Sequence, residues 1–147
     1  MSKFYTCDKM KELNESHVKF LKHFSNGITH NLILWIISKE PIHGYGIMKK
    51  LDDFFDFDND ECELKATSSK VYPLLRKMES KNLIEGEWQT VNNKRVKYYS
   101  ITEDGEIVLK HLKNNMCQVM DNPFWMLFIE DMTGYKMKRE TSYEKRN

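Results

Sequence analysis

Apolar residues recur at helical spacing through most of the chain and at strand spacing in one stretch, and these patterns set the expected order of elements. Met10, Leu13, His17, Phe20 and Phe24 are separated by three, four, three and four residues, the pattern of a helix with one packing seam; Asn26-Gly27 is expected to end it. From Ile28 to Ser38 the chain is apolar on nearly every side, which predicts a helix buried at the centre of the fold. Lys39-Glu40-Pro41-Ile42 breaks it, and His43-Gly44-Tyr45-Gly46 leads into another helix, with Ile47, Met48, Leu51, Phe54 and Phe55 at helical spacing.

A third helix follows Thr67-Ser68-Ser69, whose hydroxyls suit a cap. Val71, Leu74, Leu75 and Met78 fall on one side of it. The opposite side collects Ser69, Pro73, Arg76, Lys77 and Ser80, with Lys70 and Tyr72 on the flanks, and no acid. Pro73 is expected near the helix start, since proline does not suit a helix interior. A strand from Leu83 to Gln89, a turn over Val91-Asn92-Asn93-Lys94 and a returning strand from Val96 to Ile101 make a hairpin. Asn92 and Asn93 accept left-handed backbone, and Lys94, Arg95 and Lys97 gather positive charge at the tip. Thr102 caps a fourth helix with a seam of Leu109, Leu112, Met116 and Val119, stopped by Asn122-Pro123. Phe124 to Ile129, with Met132 and Tyr135, is too apolar for a tail and reads as a fifth helix; residues 136–147 are polar. The fold class is mainly α with a small β-hairpin (α+β).

Charge changes this picture only through its placement. The net charge is +1, but seven acids crowd into Asp52–Glu63; with those set aside, the 23 Lys and Arg residues outnumber the remaining acids by eight. The basic surplus therefore lies on the rest of the chain, where the outward side of the third helix is basic and free of acids and the hairpin tip gathers three cations. Hydroxyls and backbone N–H groups at a helix N-terminus suit phosphate, and Arg76 or Lys70 suits a guanine edge. Taken alone, such a face equally fits an ordinary solvated helix; a cationic hairpin directly after it favours nucleic acid.

Other chemistries fit poorly. Asp56, Asp58 and Asp60 imitate a calcium loop, but Glu61 stands where glycine is required and Thr67 where the bidentate glutamate belongs. Cys7, Cys62 and Cys117 are single and widely spaced, giving neither a disulfide framework nor a zinc site. His17 lacks a second ligand four residues away and reads as a seam residue. No nucleophile with a nearby base and no phosphate-cradling glycine loop is present, so no enzyme and no cofactor is expected. Apolar runs fall short of the roughly 20 residues of a membrane span, and the N-terminus lacks a signal-like core, so a cytoplasmic protein without membrane contact is expected.

Three motifs in order resemble the PadR family of winged-helix regulators: His43-Gly44-Tyr45-Gly46-Ile47; Tyr72-Pro73-Leu74-Leu75-Arg76 through Leu83-Ile84; and Lys94-Arg95-Val96-Lys97-Tyr98-Tyr99-Ser100-Ile101-Thr102-Glu103-Asp104-Gly105. The resemblance spans about residues 28–112. It implies a winged helix-turn-helix whose C-terminal helices join two subunits, the acidic stretch and the N-terminal helix lying outside the family's usual core. With the pattern above, the expected layout is a winged helix-turn-helix with N- and C-terminal dimerisation helices: residues 1–26 as an N-terminal helix, 27–104 as the DNA-binding domain, 105–137 as dimerisation helices and 138–147 as a flexible tail. The resemblance also implies a homodimer on double-stranded DNA, acting as a repressor through Tyr45, Ser68, Ser69, Lys70, Tyr72, Pro73 and Arg76, with Lys94 and Lys97 in the wing; Lys77 and Arg95 join them by position. Where the family carries glycine, this chain has Asn82 and Asn93, which reach the same backbone geometry, and Arg95 replaces a common proline. Because some relatives respond to phenolic or planar compounds, Met120, Phe124, Trp125 and Phe128 are candidates for a small aromatic effector, although core packing is the safer reading of that stripe. The alternative function is a winged-helix protein-interaction module without DNA binding.

Overall fold

In the computed structural model, which describes residues 14–55 and 68–136, the apolar run after Ile28 is the C-terminal half of one long helix, α1 (Glu15–Ile37). The Asn14 side chain caps it by accepting from the His17 N–H at 2.9 Å. The break expected at Asn26-Gly27 is absent. A helical glycine costs only about 1 kcal/mol relative to alanine, and the burial of Ile33, Leu34, Ile36 and Ile37 just downstream outweighs it. His30 Nδ1, 2.5 Å from the Asn26 carbonyl, adds a donor across the same turn. Burial of this helix is also one-sided, since Trp35 lies at the surface, edge-on to Phe54. Of the N-terminal seam, Met10, Leu13 and the Phe24 side chain lie outside the described residues, as do residues 56–67, which include most of the acidic stretch and Thr67, and residues 137–147; His17 and Phe20 are exposed.

A two-residue strand, β1 (Ile42–His43), precedes α2 (Gly44–Phe54). The His43 ring caps α2, its Nδ1 accepting from the Gly46 N–H at 2.9 Å. Ile47 and Leu51 of α2 and Val71 and Leu75 of α3 (Ser68–Ser80) are fully buried, with Met78 close to it. Pro73 sits inside α3 rather than at its start. Proline supplies no N–H to the helix ladder and costs about 3 kcal/mol in an interior; the buried Val71, Leu75 and Met78 carry the helix through.

Asn82 takes the left-handed conformation, φ 58°, and turns the chain into β2 (Ile84–Val91). Asn92 and Asn93, φ 50° and 62°, form the two-residue turn to β3 (Lys94–Ile101), positive φ at both positions being what a tight hairpin requires. The sheet order is β1-β3-β2, antiparallel throughout. The Thr102 hydroxyl donates to the Asn82 carbonyl and accepts from the Gly105 N–H, capping α4 (Glu103–Asp121). α5 (Pro123–Thr133) starts at the Asn122 cap and ends at Gly134, φ 72°. The chain divides between Lys110 and His111 into two units; the first holds the core, and α5 in the second buries no residue. Among the described residues, no helix is long and apolar enough to cross a membrane.

Candidate nucleic-acid interface

The outward side of α3 follows from the burial of its inward side. With Val71, Leu75 and Met78 packed, Ser69, Tyr72, Pro73, Arg76, Lys77 and Ser80 are exposed and Lys70 and Leu74 half-buried. The Ser68 side chain lies outside the described residues. Tyr72 reaches α2: a Cβ built on Gly44 would lie 2.7 Å from Tyr72 Cε1, so glycine is what lets the ring lie against the start of that helix. Nearby, Tyr45 is exposed, stacks on His43 and carries Lys49 Nζ 5.4 Å from its ring centroid. Lys49 extends the expected cationic set; its spacing of four from Tyr45 on a helix was the available signal.

The hairpin separates its cations. Side chains alternate between faces of a strand, and the pairs Thr90–Arg95, Trp88–Lys97 and Gly86–Tyr99 place Arg95, Lys97, Trp88 and Tyr99 on one face. Lys94, Val96 and Tyr98 share the other with Glu85 and Glu87. The sequence expectation of three cations together at the tip therefore resolves into Lys94 beside the turn, Arg95 stacked over Trp88 with its guanidinium 5.1 Å from the ring centroid, and Lys97 half-buried further back. Lys97 Nζ pairs with Glu79 Oε2 of α3 at 2.9 Å. Tyr99 is buried, and burial pushes its phenol above the ordinary value, opposed by Lys97 and reinforced by Glu79 and Tyr72. Trp88, Glu79 and Gly86 are contributors that sequence reading missed; strict alternation across the hairpin would have separated Lys94 from Lys97.

In the second unit, Met116, Met120, Phe124, Trp125 and Phe128 are exposed, and Leu112 and Val119 half-buried. Trp125 and Phe128 meet edge-to-face at 5.8 Å. Leu109, expected in the same seam, is instead buried in the first unit. Among the described residues no cluster of His, Cys, Asp and Glu is arranged to hold a metal ion.

Three helices, a three-stranded antiparallel sheet and a projecting hairpin beside an exposed basic helix define a winged helix-turn-helix protein. The model of the transcriptional regulator PadR-like family matches residues 33–111, and the chain belongs to that family, whose members are transcriptional regulators rather than enzymes. Among solved structures, a PadR-like transcriptional regulator from Bacillus cereus is 32% identical, with 65% of this chain and 86% of that one covered and a TM-score of 0.54. A PadR family regulator from Eggerthella lenta is 26% identical over 73% of this chain and 88% of its own, TM-score 0.58. A putative transcriptional regulator from Thermoplasma acidophilum, 19% identical, shares the fold over 77% of this chain and 97% of its own, TM-score 0.60. No curated protein matches.

Proposed function

We propose that the chain is a cytoplasmic, homodimeric repressor that binds double-stranded DNA sequence-specifically. In this reading α3 enters the major groove, with Arg76 and Lys70 at base edges and Ser68, Ser69, Tyr72, Pro73, Lys77 and Tyr45 at the backbone. Lys94 and Arg95 of the wing meet the flanking phosphates or minor groove. Residues 27–104 serve as the DNA-binding part and 105–137 as the assembly part, where Leu112, Met116 and Val119 meet a second copy. The aromatic group Met120, Phe124, Trp125 and Phe128 either completes that contact or receives a small aromatic effector that shifts half-site spacing.

The observation that carries the reading is the exposed side of α3, which presents Arg76, Lys77, hydroxyls and no acid. The one acid of α3, Glu79, lies off that side and is paired with Lys97. A gel shift on genomic fragments over a salt series tests it. Binding should weaken steeply with salt, and Arg76→Ala should cost about 1–3 kcal/mol and relax specificity at one base position. Lys94→Ala should weaken binding to all sequences and flatten the salt dependence by about one charge. Binding indifferent to ionic strength, or none, points to a protein-interaction module instead.

A further inference from the structure

The face of the hairpin that meets α3 carries an arrangement that DNA contact does not explain. Lys97 and Glu79 are each only about a quarter exposed, 26% and 27%. The lysine reaches its partner across Gly86: a Cβ there would lie 2.1 Å from Lys97 Cε and 2.9 Å from Glu79 Oε1. The gap left by glycine is thus the channel through which the bridge forms. The same ammonium lies 5.4 Å from the Tyr99 ring centroid and 6.0 Å from that of Trp88, so aromatic surface flanks it as well. A lysine drawn away from this position toward phosphate would leave Glu79 bare on the helix that is to approach DNA, a like-charge juxtaposition that opposes binding.

We propose that Lys97 is a positioning residue, a strut that fixes the wing to the recognition helix through Glu79, and not a phosphate contact. The proposal rests on the DNA-binding reading above for its consequence, but not for its geometry. Its effect on DNA is indirect: with the strut in place the wing and α3 approach the duplex as one rigid piece, and without it the wing must be ordered on binding. Arg95, on the same face but exposed and stacked on Trp88, is the residue left to meet phosphate.

The test uses the full chain, first without DNA. Amide exchange in residues 84–101 should accelerate about fivefold in Lys97→Met and in Glu79→Gln, the scale of a partly exposed ion pair, while residues 33–37 keep their protection. The charge swap Lys97→Glu with Glu79→Lys should restore the wild-type rates. Unchanged exchange in the hairpin overturns the strut whether or not any duplex binds. The second arm uses a genomic duplex retained by the wild-type protein. Lys97→Met should weaken binding and remove hydroxyl-radical protection at the flanks only, without changing the salt slope, and the swap should recover both. Arg95→Gln, by contrast, should lower the slope by about one. A slope lowered equally by Lys97→Met, with Glu79→Gln harmless and no rescue by the swap, makes Lys97 a phosphate contact and overturns the proposal. A wild-type protein that retains no duplex counts against the DNA-binding reading alone, and the exchange arm still decides the strut.

Discussion

The two units of this chain spend their apolar residues in opposite ways. In the first, Ile33, Ile36, Ile47, Leu51, Val71, Leu75 and Ile84 from α1, α2, α3 and β2 are essentially closed to solvent. In the second, an equally apolar helix, α5, leaves Phe124 81% exposed and Leu127 60% exposed. Hydrophobicity alone does not make a core; it makes one only where other elements of the same chain supply opposing faces. Exposed apolar surface of this kind is characteristic of interaction sites, which is why the assembly role proposed above was assigned to the second unit. Truncation separates the two most sharply. Leu75→Ala should cost about 2–5 kcal/mol, as burial plus cavity terms require, whereas Leu127→Ala should stay within about 0.5 kcal/mol in the monomer. Urea denaturation of both variants at low protein concentration measures the contrast, and similar losses would erase it.

Within the first unit, close backbone packing makes a further difference. A Cβ on Gly105 would stand 2.1 Å from the Leu83 carbonyl oxygen, which also accepts the Thr102 N–H at 3.1 Å. Gly105→Ala forces apart the start of α4 and the residue just before β2, and the expected loss is about 1–3 kcal/mol, the cost of overpacking. Gly134 provides the counterpart in the second unit, where a Cβ would meet nothing within 4 Å and the cost of alanine comes only from φ 72°. Thermal unfolding of Gly105→Ala checks the first of these; an unchanged midpoint would mean that the α4 junction yields freely.

Much of the first unit was legible in the sequence because it depends on local chemistry. Asn82, Asn92 and Asn93 could be read as left-handed positions since asparagine tolerates that backbone, and all three take it. The inward residues of α3 followed from helical spacing. What escaped was set by tertiary balance. Asn26-Gly27 is a helix stop in isolation, yet the burial of Ile33, Leu34, Ile36 and Ile37 downstream holds α1 through it. Strand β1 is two residues long, too short to have a period, and exists because Ile42 and His43 pair with Tyr99 and Tyr98. Lys97 read as a wing-tip cation because charge was counted along the chain, while its pairing with Glu79 depends on a glycine eleven positions away, Gly86.

A smaller effect is expected at the start of α5, where Asn122 Oδ1 accepts from the Phe124 N–H at 2.9 Å. Asn122→Ala should cost about 1 kcal/mol of helix stability and be felt as lost helicity in the second unit, with the urea midpoint of the first unchanged. Circular dichroism of the variant reads the former. A shifted midpoint for the whole chain would mean that the two units unfold as one.

The last contrast shows itself only at alkaline pH. Burial holds the Tyr99 phenol above its ordinary value, with the Lys97 charge pulling it down and Glu79 pushing it up. The folded protein therefore keeps this proton more tightly than the unfolded chain does. The corresponding stability is fully present below the ordinary tyrosine value of about 10 and is lost as pH rises through the raised one. Because lysine side chains as a class also titrate in alkaline solution, the informative quantity is the difference between wild type and Tyr99→Phe, which lacks the titrating phenol. That difference should be flat from pH 7 to about 9 and should then move in favour of the variant. A difference that stays flat to the alkaline limit would show that the phenol opens to water before it ionises, and that this edge of the core is looser than the helices behind it.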